Sequence, residues 1–207
     1  MKLSAKIERK IRKYAPKGGL DNTTRVLLDL IGMGQPLTLA HSERVGLTTE
    51  AVCLKTGKDA KAGLFGGLLH DTGKNTVLNF LFDGRNISAE EYAEVKKHAI
   101  AGFTALKRAH LFTAYCAGLH HALYERGYGL TARDFPKNWQ PRTVKKVLEI
   151  ATIIAICDDI DASLHRKTTI KDDSRLSDMP LMKRLETKFP DDHETVKIAL
   201  EEARKYL

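Results

Sequence analysis

The sequence predicts an all-α fold, a single-domain bundle of about eight helices. Three observations carry this. Apolar residues recur at three- and four-residue spacing along most of the chain, as at Leu3, Ile7, Ile11 and Tyr14. No stretch sustains the two-residue alternation of a strand. Segments are set apart by helix-stop and helix-start residues such as Gly18-Gly19, Pro36, Gly57-Lys58-Asp59 and Ser88-Ala89-Glu90-Glu91. A length of 207 residues with 43% hydrophobic content suits one globular domain with a sizeable core.

In order, residues 3–14 form an amphipathic basic helix, and Asp21 caps a second helix over 22–33 with Val26, Leu27 and Leu30 inward. A long helix follows over 37–56 and carries His41 near its start. Asp59 caps the next, an apolar run that ends in Leu69-His70-Asp71-Thr72-Gly73-Lys74. Residues 75–87 read as a loop or a broken turn. A capping box at Ser88 opens a helix over 89–109 with His98 in its middle, and 111–125 carries His120-His121. A loop through Gly127-Tyr128-Gly129, Pro136, Trp139 and Pro141 leads to the most apolar helix, 142–163, which ends in Asp158-Asp159-Ile160-Asp161 and belongs at the centre of the core. After a polar stretch over 164–176, two short helices close the sequence over 178–188 and 192–206, the second capped by Asp191. The expected organisation is an N-terminal helical extension over 1–33, a core over 34–176, and C-terminal helices over 177–207 that pack on the core.

Charge and cysteine content exclude several classes. The net charge of +8 is concentrated in residues 1–17, where seven basic residues face one acidic residue. The other 27 basic and 25 acidic residues nearly cancel, so a nucleic-acid surface is not expected except through residues 1–17. That basic helix reads either as an arm for an anionic partner or, more commonly, as a surface helix that packs its apolar stripe on the domain. Cys53, Cys116 and Cys157 form no CxxC and read as reduced core thiols. No apolar run is long enough for a membrane span, and the expectation is a soluble cytoplasmic protein.

The chemistry lies in the ionisable residues placed inside or at the ends of apolar helices: His41, His70, Asp71, His98, His120, His121 and Asp158. Burying such groups is costly unless they are paired or ligated. A mixed imidazole–carboxylate set suits Fe, Mn, Zn or Ni better than Ca or Mg. It is too large for one tetrahedral zinc and suits two divalent ions bridged by a carboxylate and a hydroxide, the arrangement used for phosphoryl transfer. Lys74, one turn after His70, could serve as a point charge for phosphate or a leaving oxygen. His110, His165 and His193 fall outside the ordered set and read as packed or exposed histidines. Asp161 shares a helical face with Asp158 and reads as a carboxylate behind a ligating histidine. Asp159 reads as a helix-end acid. Arg126, Arg133, Arg166 and Lys167 are candidates for substrate phosphate, and solvated loop charge explains them as well. Tyr128 and Trp139 could stack a base or anchor their loop.

The order of these residues resembles the HD superfamily of metal-dependent phosphohydrolases, and within it the HD-GYP branch, whose active members are cyclic di-GMP phosphodiesterases. The resemblance rests on His41-Ser42-Glu43-Arg44-Val45, His70-Asp71-Thr72-Gly73-Lys74, Lys97-His98-Ala99-Ile100-Ala101-Gly102, His120-His121 and Ile156-Cys157-Asp158-Asp159-Ile160-Asp161, and it covers about residues 37–167. It implies an HD-domain helical bundle. It implies that His41, His70, Asp71 and Asp158 hold one metal, that His98, His120 and His121 hold the other, that Asp71 bridges them, and that Lys74 and Asp71 are catalytic. The expected cofactors are two divalent ions, Fe or Mn first and Zn or Ni as alternatives. The expected substrate is a small phosphorylated compound, a nucleotide or cyclic dinucleotide. Three positions depart from the branch. Ala122 stands where a Glu follows the paired histidines, Gly127-Tyr128-Gly129 stands for Gly-Tyr-Pro, and Leu37 stands where the trinuclear subtype has Glu. A third metal is therefore not expected. The competing reading is a signalling or binding module with a structural metal site. A signalling partner and a homodimer both stay open.

Overall fold

The computed structural model describes residues 3–14, 19–78, 81, 87–124, 127–165 and 179–207. Among them there is no strand, and the architecture is all-α. The helices are α1 (Leu3–Tyr14), α2 (Leu20–Gly34), α3 (Pro36–Lys55), α4 (Ala60–Leu69), α5 (Ala89–Lys96), α6 (His98–Leu106), α7 (Leu111–Leu119), α8 (Pro141–His165), α9 (Leu181–Lys188) and α10 (His193–Ala203). Short 3-10 turns lie at Thr72–Thr76, Ala132–Asp134 and Arg204–Tyr206. No helix among the described residues is long and apolar enough to cross a membrane.

Two helices organise the rest. α8 buries Val147, Ile150, Ala151, Ile153, Ile154, Ile156 and Ile160, and so meets neighbours on several sides. Its apolar length explains why the chain wraps it with α3, α7 and α10. α3 crosses α4 at backbone contact. A Cβ on Gly67 would stand 2.8 Å from the Cα of Gly46, so neither position has room for a side chain. That crossing brings the end of α4, where His70 and Asp71 follow, against the start of α3 that holds His41. The Cβ of any residue replacing Gly73 would fall 1.9 Å from the His98 carbonyl oxygen, which locks the Thr72–Thr76 turn onto α6.

The basic first helix packs on the domain. Ile7 and Ile11 are buried with Leu28, Leu47, Leu64, Phe65 and Leu68. Lys10 Nζ and Tyr14 Oη both reach Glu50 Oε1 of α3 at 2.7 Å, Lys6 reaches the Tyr206 hydroxyl, and Arg12 pairs with Glu8.

The structure corrects several expected details. Val26 and Leu30 are exposed (57% and 50%), and α2 instead turns Thr24, Leu28 and Ile31 inward. The helix carries apolar residues on two faces, so its spacing fits either register. Asp21 lies in the first turn of α2, with Gly19 at the cap. Residues 89–109 form two helices, broken at Lys97, and His98 opens the second. α7 stops at Leu119, so His120-His121 sit just beyond its end. The last helix is capped at the Asp192 position, with no side-chain cap bond, and not at Asp191. Of the expected loop over 75–87, residues 79–80 and 82–86 lie outside the described residues, as do most of 164–176.

Candidate metal centre

Seven side chains from distant parts of the sequence converge. His41 comes from α3, His70 and Asp71 from the end of α4, His98 from the start of α6, His120 and His121 from the end of α7, and Asp158 from α8. The local reason recurs. Four of the five helix segments place their candidate ligand at or near an end, where an imidazole can leave the helix surface and still bond the nearby backbone. Nδ1 of His70, His98 and His120 donates to the carbonyl three residues earlier, Gly67 at 2.7 Å, Val95 at 2.6 Å and Ala117 at 2.7 Å. Each bond puts the proton on Nδ1 and turns the Nε2 lone pair inward, the tautomer that ligates metal.

Asp71 is the centre. Its Oδ2 lies 3.3 Å from His70 Nε2 and 3.5 Å from His41 Nε2, and its Oδ1 lies 3.3 Å from His98 Nε2 and 4.0 Å from His120 Nε2. One carboxylate thus presents an oxygen to each of two imidazole sets. Asp158 Oδ1 completes the first set, 3.0 Å from His41 Nε2 and 3.8 Å from His70 Nε2, while its Oδ2 lies 3.8 Å from His121 Nε2. His98 and His120 present their Nε2 atoms to each other at 3.3 Å. The Lys74 ammonium contacts Asp71 Oδ2 and is itself buried.

The donor set fits divalent ions. His41 Nε2, His70 Nε2 and Asp71 Oδ1 are buried and lack any hydrogen-bond partner. An orphaned buried polar atom costs about 1–3 kcal/mol. Three of them aimed at one space are costly unless a cation takes their lone pairs. Metal bonds of about 2.0–2.2 Å put neighbouring donors about 3–3.6 Å apart, and most of the separations above fall in or near that range. His98–His120–His121, His41–His70–Asp71 and His70–His120–Asp158 each gather donor atoms within 4.8 Å.

The electrostatics agree. Burial holds His98 down to about 4 and His120 down to about 3, with neighbouring imidazoles adding to the effect, and it pushes His121 well down too. All three are therefore neutral and able to ligate at pH 7. Burial also opposes charge on His70, Asp71 and Asp158, but mutual attraction wins. Asp71 and Asp158 stay ionised, far below the usual carboxylate range, and their charge lifts His70 to about 10. Two buried carboxylates thus draw in a positive charge, which a proton on His70 or a metal ion can supply.

Behind the ligands lie partners with weaker sequence signals. Asp161 accepts from His41 Nδ1 at 2.7 Å and takes a two-pronged bond from Arg44, Nε at 2.6 Å and a terminal nitrogen at 2.9 Å. His165 Nδ1 lies 3.2 Å from the same carboxylate. The His121 Nδ1 partner is the Tyr124 hydroxyl at 3.0 Å. Gln35 donates to the Lys74 carbonyl. Arg44 and Tyr124 each follow a ligand by three residues, one helical turn, and that spacing was the available signal. Tyr128 lays its ring 4.6 Å from that of His121 and 6.1 Å from that of His98, beside the centre.

The other candidates separate from it. Arg133 is exposed on the Ala132–Asp134 turn. Arg126, Arg166 and Lys167 lie outside the described residues. Trp139 packs on Tyr115 and Phe135 and anchors its loop. His110 caps α7, and Asp159 binds Lys188 and Arg184 of α9.

The family model described as the HD domain matches residues 38–163. Among solved structures, the chain is similar to the HD domain of the L. monocytogenes phosphodiesterase PgpH, at 18% identity and a TM-score of 0.56, covering 87% of this chain and 96% of that one. It is equally similar to that domain in complex with cyclic-di-AMP, at 18% identity and a TM-score of 0.57, covering 87% and 95%. No curated protein matches.

Proposed function

The chain belongs to the HD domain family, and on that premise we propose that it is a metal-dependent phosphohydrolase acting on a phosphoester of a nucleotide or cyclic dinucleotide. One observation carries the reading. Asp71 divides its two oxygens between two sets of inward-facing imidazoles, and the buried Lys74 ammonium sits on the same carboxylate.

His41, His70, Asp71 and Asp158 would hold one divalent ion, and His98, His120 and His121 with Asp71 the other, with Fe or Mn favoured and Zn or Ni as alternatives. Such a pair of ions would activate water and neutralise charge on the phosphoryl group. The chain's own residues do the rest. The carbonyl bonds on His70, His98 and His120 fix each ring before substrate arrives. Lys74, 5% exposed, offers a positive charge in a water-poor place, where it acts on a phosphoryl or leaving oxygen more strongly than it would in solvent. The cyclic-di-AMP bound by the L. monocytogenes domain supports a nucleotide class for the substrate.

The test is a panel of phosphomonoesters, phosphodiesters and cyclic dinucleotides with Mn- or Fe-loaded protein kept under reducing conditions. Turnover is expected with at least one class, and Asp71→Ala should lose bound metal and turnover together. A metal-replete chain that hydrolyses none of them overturns the enzyme reading and leaves a binding module.

A further inference from the structure

The five imidazoles are not held alike. His70 and His120 bond carbonyls of the helices they follow, and His98 bonds the Val95 carbonyl of α5, all backbone groups that move only if their helix does. His41 is held by Asp161, itself gripped by Arg44. His121 alone among the five bonds a neutral side chain, the Tyr124 hydroxyl. A carbonyl only accepts, so it fixes the tautomer of its histidine. A hydroxyl can donate or accept, so this bond does not by its chemistry alone fix the His121 tautomer that ligates. The His121 side chain is also the most exposed of the set, at 18% against 10% or less for the others.

The two sets also differ in how closely the carboxylates approach them. The His41–His70 side faces Asp71 Oδ2 at 3.3–3.5 Å and Asp158 Oδ1 at 3.0–3.8 Å. On the other side the nearest carboxylate oxygens are Asp71 Oδ1, 3.3 Å from His98, and Asp158 Oδ2, 3.8 Å from His121. Tyr124 is in turn fixed from outside the centre. The Lys188 ammonium stands 3.8 Å above its ring, and Phe189 packs 6.0 Å from it. Both belong to the end of α9, which Asp159 ties to α8 through Lys188 at 2.9 Å and Arg184 at 3.6 Å.

We propose that the two metal positions differ in affinity, that the position served by His98, His120 and His121 is the weaker, and that Tyr124 is the positioning residue that sets its occupancy. This rests on the metal-centre reading above. It makes the second ion conditional on the seating of α9, which carries no ligand of its own.

The test is calorimetric and spectroscopic titration of the metal-stripped full chain with Co(II). The wild type should take up two equivalents with resolved affinities. Tyr124→Phe removes one oxygen and keeps the ring. It should weaken the second equivalent about 10- to 100-fold and leave the first unchanged. Asp161→Asn should do the reverse, weakening the first. A uniform loss of stability would lower both affinities together and could not produce this crossed pattern. Two equal affinities, a single equivalent in the wild type, or a Tyr124→Phe variant that shifts the first equivalent or neither overturns the inference. A wild type that binds no Co(II) defeats the metal-centre reading itself.

Discussion

At the residue scale, Lys74 and Asp71 share one contact but do different work. Asp71 lies between two imidazole sets, whereas the Lys74 ammonium contacts the Asp71 carboxylate as a donor and has no lone pair to offer an ion. Lys74→Gln should therefore keep bound metal and lose turnover by about 10²–10³-fold, the usual cost of removing one charge-stabilising donor. Metal analysis beside steady-state rates checks it, and loss of metal in the variant would make Lys74 a structural counter-ion instead. The candidate ligands were legible in the sequence as a set the fold brings together. Most are ionisable residues at or near an apolar helix end, and their order is what the resemblance recognised. Their partners were less so. Asp161 could be placed behind a histidine because it shares a face with Asp158. Arg44 and Tyr124 are ordinary polar residues one turn from a ligand, and only the folded chain shows where their side chains go.

At the element scale, the break at Lys97 decides where His98 points. Nothing in the sequence marks it: Lys97 keeps near-helical dihedrals (φ −64°, ψ −18°), and the one Gly of the stretch, Gly102, lies beyond the break inside α6. At the break the Thr72–Thr76 turn packs Gly73 directly onto the His98 carbonyl, a tertiary contact that no local pattern announces. Gly73→Ala should push that turn off α6. The expected result is an overpacking cost of about 1–3 kcal/mol, read as a lower melting temperature, together with weakened metal binding. Gly67→Ala, at the α3–α4 crossing, should cost stability by the same mechanism. An unchanged melting temperature in either variant would mean that the crossing relaxes freely. The register of α2 was illegible for a related reason. Val26 and Leu30 on one face and Leu28 and Ile31 on another are both apolar, and only packing chooses between them.

At the scale of the whole molecule, the centre sets the pH range in which the metal-free chain is stable. His98 and His120 titrate lower in the folded chain than the usual 6.5, at about 4 and about 3. Below 6.5 the unfolded chain takes up protons that the folded one refuses, so their contribution falls as pH drops from 6.5 toward 4. His70 titrates higher, at about 10. Between 6.5 and 10 the folded chain holds a proton the unfolded one has released, so this contribution falls as pH rises through that window. The metal-free protein should be most stable near pH 6.5. Saturating Mn(II) should raise its melting temperature and release protons on binding, as the ion takes the place of the His70 proton. Melting curves over pH 4–10 with and without metal check both, and a monotonic profile would contradict the assignment. The all-helical class was legible at this scale because periodicity needs no tertiary contact. The wrapping of α8 was legible only in part, since an apolar helix announces burial and not its neighbours. One consequence of the long reach between His41 and Asp161, 120 residues apart, concerns timing. No short stretch of nascent chain carries both halves of the pocket, so the chain offers no complete trap for stray metal until α3 and α8 have met. Once they have, a bound ion would staple α3 to the much later α8. Its slow escape should then act as a clock for global opening, so that a chelator reads the unfolding rate of the domain.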